Sequence, residues 1–221
     1  MSNKTSLCEP RRWAQTQSLF RAHLQASPMT DTLRTVNVVG IVGRAGFGKS
    51  TMANILVDQF EFKELTFAEP IKMACMHIFD LSSDQLHDTR CKEELDKRWN
   101  LSPRQMFQKV GTDFGRYLIS SDIWIKNMQY RLMQANQEQS DTVISDVRFQ
   151  NEADFLREQF GAQIIRIERP HYIGTSYSSH ESERQGASIV ADYNIFNTGT
   201  IHDLEIETIQ FVHDRLDLEK V

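Results

Sequence analysis

The chain has 221 residues, of which 40% are apolar and 25% are charged, and its formal net charge is −5. This length allows one α/β domain with an inserted subdomain, and the composition excludes the disordered and fibrous classes. An acidic chain disfavours a nucleic-acid partner, since such binding neutralises phosphates. The three cysteines form no Cys-x-x-Cys pair, which favours reduced thiols and a cytoplasmic protein, and no apolar run is long enough to span a membrane.

The segment 1–34 is predicted to be an extension of an α/β domain that spans residues 35–216. Trp13, Phe20 and Leu24 fall on one stripe of a short amphipathic helix. That stripe could pack on the domain or on a second subunit, so a homodimer stays open. The segment is also rich in arginine and poor in acidic residues, which resembles a weak organelle transit sequence.

The first predicted strand leads into Gly-Arg-Ala-Gly-Phe-Gly-Lys-Ser, which matches the phosphate-loop pattern Gly-x-x-x-x-Gly-Lys-Ser/Thr at every fixed position. A helix is predicted directly after the loop, and this order aims the positive end of the helix at an anion. In this pattern backbone N–H groups surround the phosphates, Lys49 reaches the outer ones, and the Ser50 hydroxyl binds Mg²⁺. The sequence therefore predicts a nucleoside triphosphate site, formed by Gly43, Ala45, Gly46, Gly48, Lys49, Ser50 and Thr51.

The remaining elements alternate between strands and helices, which predicts a parallel sheet with right-handed crossovers. Further strands are predicted at residues 62–67, 142–146, 162–167 and 193–196, and helices at residues 151–160 and 201–216. Between strands two and three lies a helical insertion over about residues 70–138, with Asp122 as the cap of one helix. The insertion stands where it can cover the carboxyl ends of the strands, which is the usual ligand side.

The insertion carries a pattern typical of an anion-binding helix. Ser102 and Pro103 predict its start, because serine is a favoured cap and proline a favoured first residue. Its predicted buried stripe consists of Met106, Phe107, Val110 and Phe114. A second face repeats a polar residue every four positions and ends on an arginine: Arg104, Gln108, Thr112 and Arg116. Gly111 lowers helix stability by about 1 kcal/mol, so something is expected to approach the backbone there. We interpret this face as an acceptor-phosphate site, with a solvated surface as the alternative.

Asp146 ends the third predicted strand, where a carboxylate in phosphate-loop proteins holds Mg²⁺ beside the loop serine. The alternative is that it caps the helix that starts near Phe149. Arg148 follows at the mouth of the same strand, where its guanidinium can meet phosphate oxygens.

Arginines also gather after the fourth strand. A polar segment over about residues 170–190 is predicted to form a lid that carries Arg184 over the site, with Arg169 at its start. The alternative for both is a solvated loop in which the arginines pair with neighbouring glutamates. Arg166 alternates on the strand itself and is interpreted as structural.

Several blocks together resemble the phage-type deoxynucleoside monophosphate kinases and, more distantly, dephospho-coenzyme A kinase and phosphomevalonate kinase. Besides the phosphate loop, the blocks lie at residues 67–72, 103–116, 122–124, 144–153 and 180–183. The most specific are Asp-Val-Arg-Phe-x-Asn-Glu and Gly-Thr-x-x-Gly-Arg. The resemblance implies the P-loop nucleotide-kinase fold: a five-stranded parallel sheet with helices on both faces, a helical monophosphate-binding insertion and an arginine-bearing lid.

The same resemblance implies transfer of the γ-phosphoryl group of ATP to a deoxynucleoside 5′-monophosphate, with Mg²⁺ held by Ser50 and Asp146. Lys49, Asp146, Arg148, Arg169 and Arg184 are then the expected catalytic residues. Asn197 and Gly199 are expected near the adenine of ATP. The expected acceptor-binding residues are Glu69, Lys72, Arg104, Gln108, Thr112, Arg116 and Trp124, although Trp124 also fits a core position.

Two other functions stay open. One is a kinase of another acceptor, either a phosphorylated metabolite or a hydroxymethylated base within DNA. The other is a non-catalytic ATP-binding switch. A GTPase is disfavoured because the chain has no Asn-Lys-x-Asp motif.

Overall fold

A single sheet forms the centre of the domain. The structure, a computed structural model, describes residues 36–170, 186–216 and 218. The sheet has the strand order β2-β3-β1-β4-β5, and all neighbouring strands are parallel. Its strands are β1 (Val38–Val42), β2 (Lys63–Leu65), β3 (Thr142–Ile144), β4 (Gln163–Glu168) and β5 (Tyr193–Phe196). The predicted five-stranded parallel sheet is therefore confirmed.

The helices lie between the strands in the predicted alternation. They are α1 (Lys49–Phe60), α2 (Ala68–Phe79), α3 (Ser83–His87), α4 (Pro103–Gln108), a π-helix (Lys109–Ile119), α5 (Ile123–Gln137), α6 (Gln150–Phe160) and α7 (Ile201–Leu216). None of these described helices has both the length and the apolar character needed to cross a membrane. The predicted extension over residues 1–34 lies outside the described residues, as do residues 171–185 of the lid predicted over about residues 170–190.

Hydrophobic clusters cover both faces of the sheet. On one face α1 and α7 pack on the strands through residues such as Leu56 and Phe211. On the other face α5 and α6 do so through residues such as Leu132 and Leu156. Strand β1 is buried along its whole length, as expected of a central parallel strand covered on both sides. Helices therefore flank the sheet on both faces, as predicted.

The insertion has a small core of its own, centred on Cys75, Leu81, Leu86 and Met106. Its predicted helix start is confirmed: the Ser102 hydroxyl accepts a hydrogen bond from the backbone N–H of Gln105 at 3.3 Å, and Pro103 is the first helical residue. The insertion is not helical throughout, because residues 88–102 between α3 and α4 are irregular. Asp122 does precede α5, but its side chain makes no capping hydrogen bond.

The predicted buried stripe was wrong at one position. Phe107 and Val110 pack against the insertion core, but Phe114 is 53% exposed. The reason is that Lys109–Ile119 is a π-helix. Its hydrogen bonds run from i to i+5, so residues spaced for an ordinary helical turn no longer share one face.

Candidate nucleotide-binding site

The phosphate loop adopts a backbone that its glycines make possible. Gly43, Gly46 and Gly48 have φ values of 153°, 79° and 107°, a region that other residues rarely adopt. A Cβ on Gly43 would also lie 2.7 Å from the Ile167 carbonyl oxygen, so the loop packs directly against β4. The loop ends at Gly48, which precedes the first residue of α1.

The first turn of α1 presents a positive end to the loop. It contains no acidic residue, so the partial charge of the helix N-terminus is not neutralised locally. Lys49 in this turn donates from Nζ to the Arg44 carbonyl oxygen at 2.9 Å, which holds the ammonium over the loop. Ala45 and Ser50 are exposed and Thr51 is half-buried. The geometry is that of an anion site.

A cleft of about 450 Å³ opens between the phosphate loop, the residues after β3 and the end of β4. Five cationic residues are among those that line it: Arg44, Lys49, Arg148, Arg166 and Arg169. Glu168 is the one acidic residue among the described residues of this lining. Such an excess of cations in a concave site favours a polyanion as the ligand.

The arginines of the cleft differ in what holds them. Arg169 donates to the Gly46 carbonyl oxygen at 3.4 Å, so it reaches across to the phosphate loop. Arg166 donates to the carbonyl oxygen of Ile189, which agrees with its interpretation as structural, although it also lines the cleft. Arg148 is exposed. Arg184, the predicted lid residue, lies outside the described residues.

Asp146 follows β3 and is anchored by backbone groups of another element. Its Oδ1 accepts a hydrogen bond from Phe67 N at 2.8 Å and its Oδ2 one from Ala68 N at 2.9 Å. These two N–H groups belong to the start of α2, so the carboxylate lies at the positive end of that helix. Asp146 therefore caps α2, whereas the predicted alternative was the helix after Phe149.

The donor set fits a Mg²⁺ ion. Each oxygen of the Asp146 carboxylate uses one lone pair on a backbone N–H and keeps another for an ion. The Ser50 hydroxyl is exposed in the first turn of α1. Mg²⁺ prefers oxygen ligands and usually takes only one or two from the protein, with phosphates and waters supplying the others. No group of three His, Cys, Asp or Glu residues suited to a metal occurs in the described part of the chain.

The turn after β5 contacts the phosphate loop through Asn197. Asn197 is buried, and its Nδ2 donates to the Phe47 carbonyl oxygen at 2.9 Å. A Cβ on Gly48 would lie 2.8 Å from the same Nδ2 atom. Asn197 was predicted near the adenine, but its side-chain amide is committed to the loop backbone. Gly199 is exposed beside Asp203, in the turn that begins α7.

The predicted acceptor residues fall into two groups. Glu69 is exposed, whereas Lys72, Arg104 and Gln108 are half-buried. Arg104 forms an ion pair with Glu93.

The second group lies in the interior. Thr112 is buried, and Trp124 donates from Nε1 to the Gly111 carbonyl oxygen at 2.7 Å. A Cβ on Gly111 would lie 2.9 Å from Cδ1 of Ile71. The close approach predicted at Gly111 therefore comes from side chains of the protein itself.

Arg116 has a buried partner that the sequence analysis did not anticipate. Its guanidinium donates to Glu152 Oε1 and stacks over the Phe149 ring, with Cζ 3.8 Å from the ring centroid. Glu152 Oε2 accepts hydrogen bonds from Arg148 N at 2.8 Å and Phe149 N at 3.1 Å. Both side chains are buried, at 8% and 2% exposure. The arginine that was predicted to meet the acceptor instead ties the insertion to the loop that carries Arg148.

Three charged residues with contacts in or near the site were missed. Arg44 occupies a variable position of the phosphate-loop pattern, so the motif gave no reason to select it. Lys92 lies in the irregular segment, where periodicity carries no information. Glu152 stands in the Asp-Val-Arg-Phe-x-Asn-Glu block, and its place in that block was the available signal.

The family model and the related sequences agree on one kinase family. The sequence model of the family described as deoxynucleotide monophosphate kinase matches residues 81–208. A protein of Acanthamoeba polyphaga mimivirus named "Putative deoxynucleotide monophosphate kinase" is 38% identical over 187 residues, which cover 79% of this chain and 95% of the viral protein. The "Deoxynucleoside-5'-monophosphate kinase" of Escherichia phage T5 is 30% identical over 116 residues, or 50% of this chain and 46% of the phage protein.

Solved structures with a related chain trace include a dephospho-CoA kinase from Campylobacter jejuni. It is 14% identical, with a TM-score of 0.45 over 82% of this chain and 98% of that one. The TT1252 protein from Thermus thermophilus is 18% identical, with a TM-score of 0.48 over 83% of this chain and 99% of that one.

Proposed function

This chain belongs to the deoxynucleotide monophosphate kinase family, and we propose that it transfers the γ-phosphoryl group of ATP to a deoxynucleoside 5′-monophosphate. The products are ADP and the deoxynucleoside diphosphate, and the role is deoxynucleoside triphosphate supply in the cytoplasm. The observation that carries the proposal is the cleft at the phosphate loop, where five cationic side chains face one acidic one among the described lining residues.

The cleft suits the donor nucleotide. The N-terminus of α1 and the N–H groups of the phosphate loop bind the phosphates, and Lys49 reaches the outer ones. Arg148, which follows β3, and Arg169, which follows β4, also line the cleft. Phosphoryl transfer needs little covalent chemistry from the protein, so placing cations around the migrating group is the main catalytic task.

Mg²⁺ is the proposed cofactor, held by Ser50 and Asp146 together with phosphate oxygens. When bound, it would offset negative charge on the β- and γ-phosphates. The task of Asp146 itself is to present a carboxylate of fixed orientation. Two backbone N–H groups at the start of α2 fix that orientation.

The acceptor is proposed to lie against the insertion, beside the start of α2. Lys72 and Arg104 are the residues that we assign to its 5′-phosphate, and Glu69 and Gln108 to its sugar and base. In the reaction, an oxygen of that phosphate forms a bond to the γ-phosphorus, while the bond from this phosphorus to the β–γ bridging oxygen breaks. The electron pair of that bond leaves with ADP.

A coupled assay of ADP release tests the proposal. The four deoxynucleoside monophosphates, modified-base versions and a single-stranded oligonucleotide serve as acceptors for the wild type, Lys49→Ala and Lys63→Ala. Lys63 is a matched control, since it lies on β2 and forms an exposed ion pair with Glu138. We expect turnover with free nucleotides, a loss of at least about 100-fold in Lys49→Ala, and wild-type rates in Lys63→Ala.

Other outcomes of this assay point to the remaining functions. Turnover with the oligonucleotide alone would support a kinase that acts on a base within DNA. ATP binding without any acceptor-dependent turnover would support a switch. Either result would overturn the proposal.

A further inference from the structure

We propose that Lys92, together with Lys72 and Arg104, binds the 5′-phosphate of the acceptor nucleotide. Lys92 lies in the irregular segment between α3 and α4 and belongs to none of the sequence motifs. The inference rests on the proposed function for the identity of the acceptor, but the anion site itself is argued from the structure alone.

The backbone brings Lys92 next to the start of α4. The Arg104 N–H donates to the Lys92 carbonyl oxygen at 3.0 Å, and the Lys92 N–H donates to the Asp88 carbonyl oxygen at 3.1 Å. The Lys92 ammonium donates to the His87 carbonyl oxygen at 2.9 Å. Lys92 is therefore held through its backbone and through its ammonium group, and its carbonyl oxygen contacts the backbone of Arg104.

Two other positive charges act on Lys92. The pKa of the Lys92 ammonium is lowered by burial first and then by the positive charges of Lys72 and Arg104, against smaller opposite effects of Asp88 and Glu93. Lys92 forms no ion pair with any residue that the structure describes. Glu93 pairs with Arg104, but Lys92 has no such partner among the described residues, so a bound anion would relieve the repulsion that acts on its ammonium in this partly buried place.

Helix α2 connects the cluster to the donor site. Helix α2 begins at Ala68, whose N–H is bound to Asp146. Lys72 comes four residues later, which is one helical turn or roughly 6 Å along the axis. The backbone of Lys72, the member of the cluster on α2, thus lies about one helical turn from the helix start that binds Asp146.

The experiment compares Lys92→Gln, Lys92→Arg and Lys97→Gln with the wild type. Lys92→Gln removes the charge and keeps the length, and Lys92→Arg restores the charge. Lys97 is an exposed lysine of the same irregular segment and serves as the matched control. Thermal melting establishes that each variant is folded, and steady-state kinetics give KM for the acceptor, KM for ATP and kcat.

We expect Lys92→Gln to raise the acceptor KM by about 10- to 100-fold, the factor for one hydrogen bond to a charged group, with little change in the ATP KM. Lys92→Arg should recover most of the affinity, and Lys97→Gln should match the wild type. Calorimetric binding of a deoxynucleoside without its 5′-phosphate should be the same in Lys92→Gln and the wild type, because only the phosphate contact is lost.

An unchanged acceptor KM in Lys92→Gln would overturn the inference. Equal losses of affinity for the phosphorylated and the unphosphorylated nucleoside would also overturn it, since they would mean that Lys92 only supports the segment through its hydrogen bond to His87. If the wild type phosphorylates no deoxynucleotide, the proposed function fails by itself. Calorimetry with deoxynucleoside monophosphate then decides the anion site, which stands if Lys92→Gln weakens binding at least 10-fold and falls if it does not.

Discussion

Replacing Arg116 by methionine should destabilise the protein strongly at alkaline pH and weakly at acidic pH. The substitution keeps an apolar side chain over Phe149 but removes the charge that compensates Glu152. Leaving one partner of a buried ion pair without compensation lowers the free energy of unfolding by about 3–5 kcal/mol. Loss of the stacked guanidinium adds about 1 kcal/mol at any pH.

The pH dependence follows from the carboxyl group. Burial raises the pKa of Glu152 from 4.5 to about 7, in spite of the opposite effect of Arg116. A carboxyl whose folded pKa exceeds its unfolded pKa contributes stability that is complete below the unfolded pKa and is lost as the pH rises through the folded one. Without Arg116 the folded pKa rises further, so the difference between variant and wild type must grow with pH.

Urea unfolding followed by far-ultraviolet circular dichroism measures this difference at about pH 5 and about pH 8. We expect a loss of about 1 kcal/mol in Arg116→Met near pH 5, where Glu152 holds a proton, and of about 4 kcal/mol or more near pH 8. Arg98→Met is the control. Its partner Asp96 has a pKa held well below the usual range, first by side-chain hydrogen bonds from Arg98, so Asp96 stays ionised from about pH 5 to about pH 8 and the loss in Arg98→Met should not vary over this interval.

The double variant Arg116→Met/Glu152→Gln completes the test. Glutamine keeps an acceptor for the N–H groups of Arg148 and Phe149 but carries no charge. The double variant should therefore be more stable near pH 8 than Arg116→Met alone, and its stability should vary less with pH. An equal loss in Arg116→Met at both pH values, or strictly additive losses, would refute the reasoning.

Two further predictions concern the loop support and the π-helix. Asn197→Ala should raise the ATP KM several-fold and leave the acceptor KM unchanged, because the loss of one buried hydrogen bond to the Phe47 carbonyl weakens the loop by about 1–2 kcal/mol; steady-state kinetics measure both constants. Gly115→Ala should lower the urea midpoint, because its methyl group would lie 2.7 Å from Cζ2 of Trp124, an overpacking of about 1–3 kcal/mol. Gly161→Ala, which meets no atom within 4 Å but has a φ of 62°, should lose only about 1 kcal/mol.

The sheet and its flanking helices could be predicted because local signals agreed with one another. The apolar run of β1, the glycines of the phosphate loop and the helix after it all point to one arrangement. Ser102 and Pro103 located the start of α4 for the same reason. Where no local pattern exists, as in residues 88–102, the sequence predicted continuous helix and could not place Lys92.

The insertion shows why periodicity failed for part of the site. A stripe assigned at helical spacing assumes 3.6 residues per turn, and the π-helix over Lys109–Ile119 breaks that assumption. Phe114 is exposed as a result, and Thr112 is buried although it was predicted on the ligand face. Arg116 was selected as a basic residue on a helix surface. Its partner Glu152 is 36 positions away, and a contact at that separation depends on the tertiary fold.

Asp146 shows that helix capping and metal binding are compatible roles for one carboxylate. The sequence analysis offered as alternatives a metal ligand and a cap for the helix that starts near Phe149, whereas the helix that Asp146 caps is α2. In the fold its two oxygens each accept one backbone N–H at the start of α2, and each keeps a lone pair that a cation can use. The cap fixes the carboxylate in place, and β3 pairs directly with β1, the strand that leads into the phosphate loop. The strand pair therefore sets the spacing between the loop and α2, so the same carboxylate that would bind Mg²⁺ also determines where Lys72 stands relative to the donor phosphates.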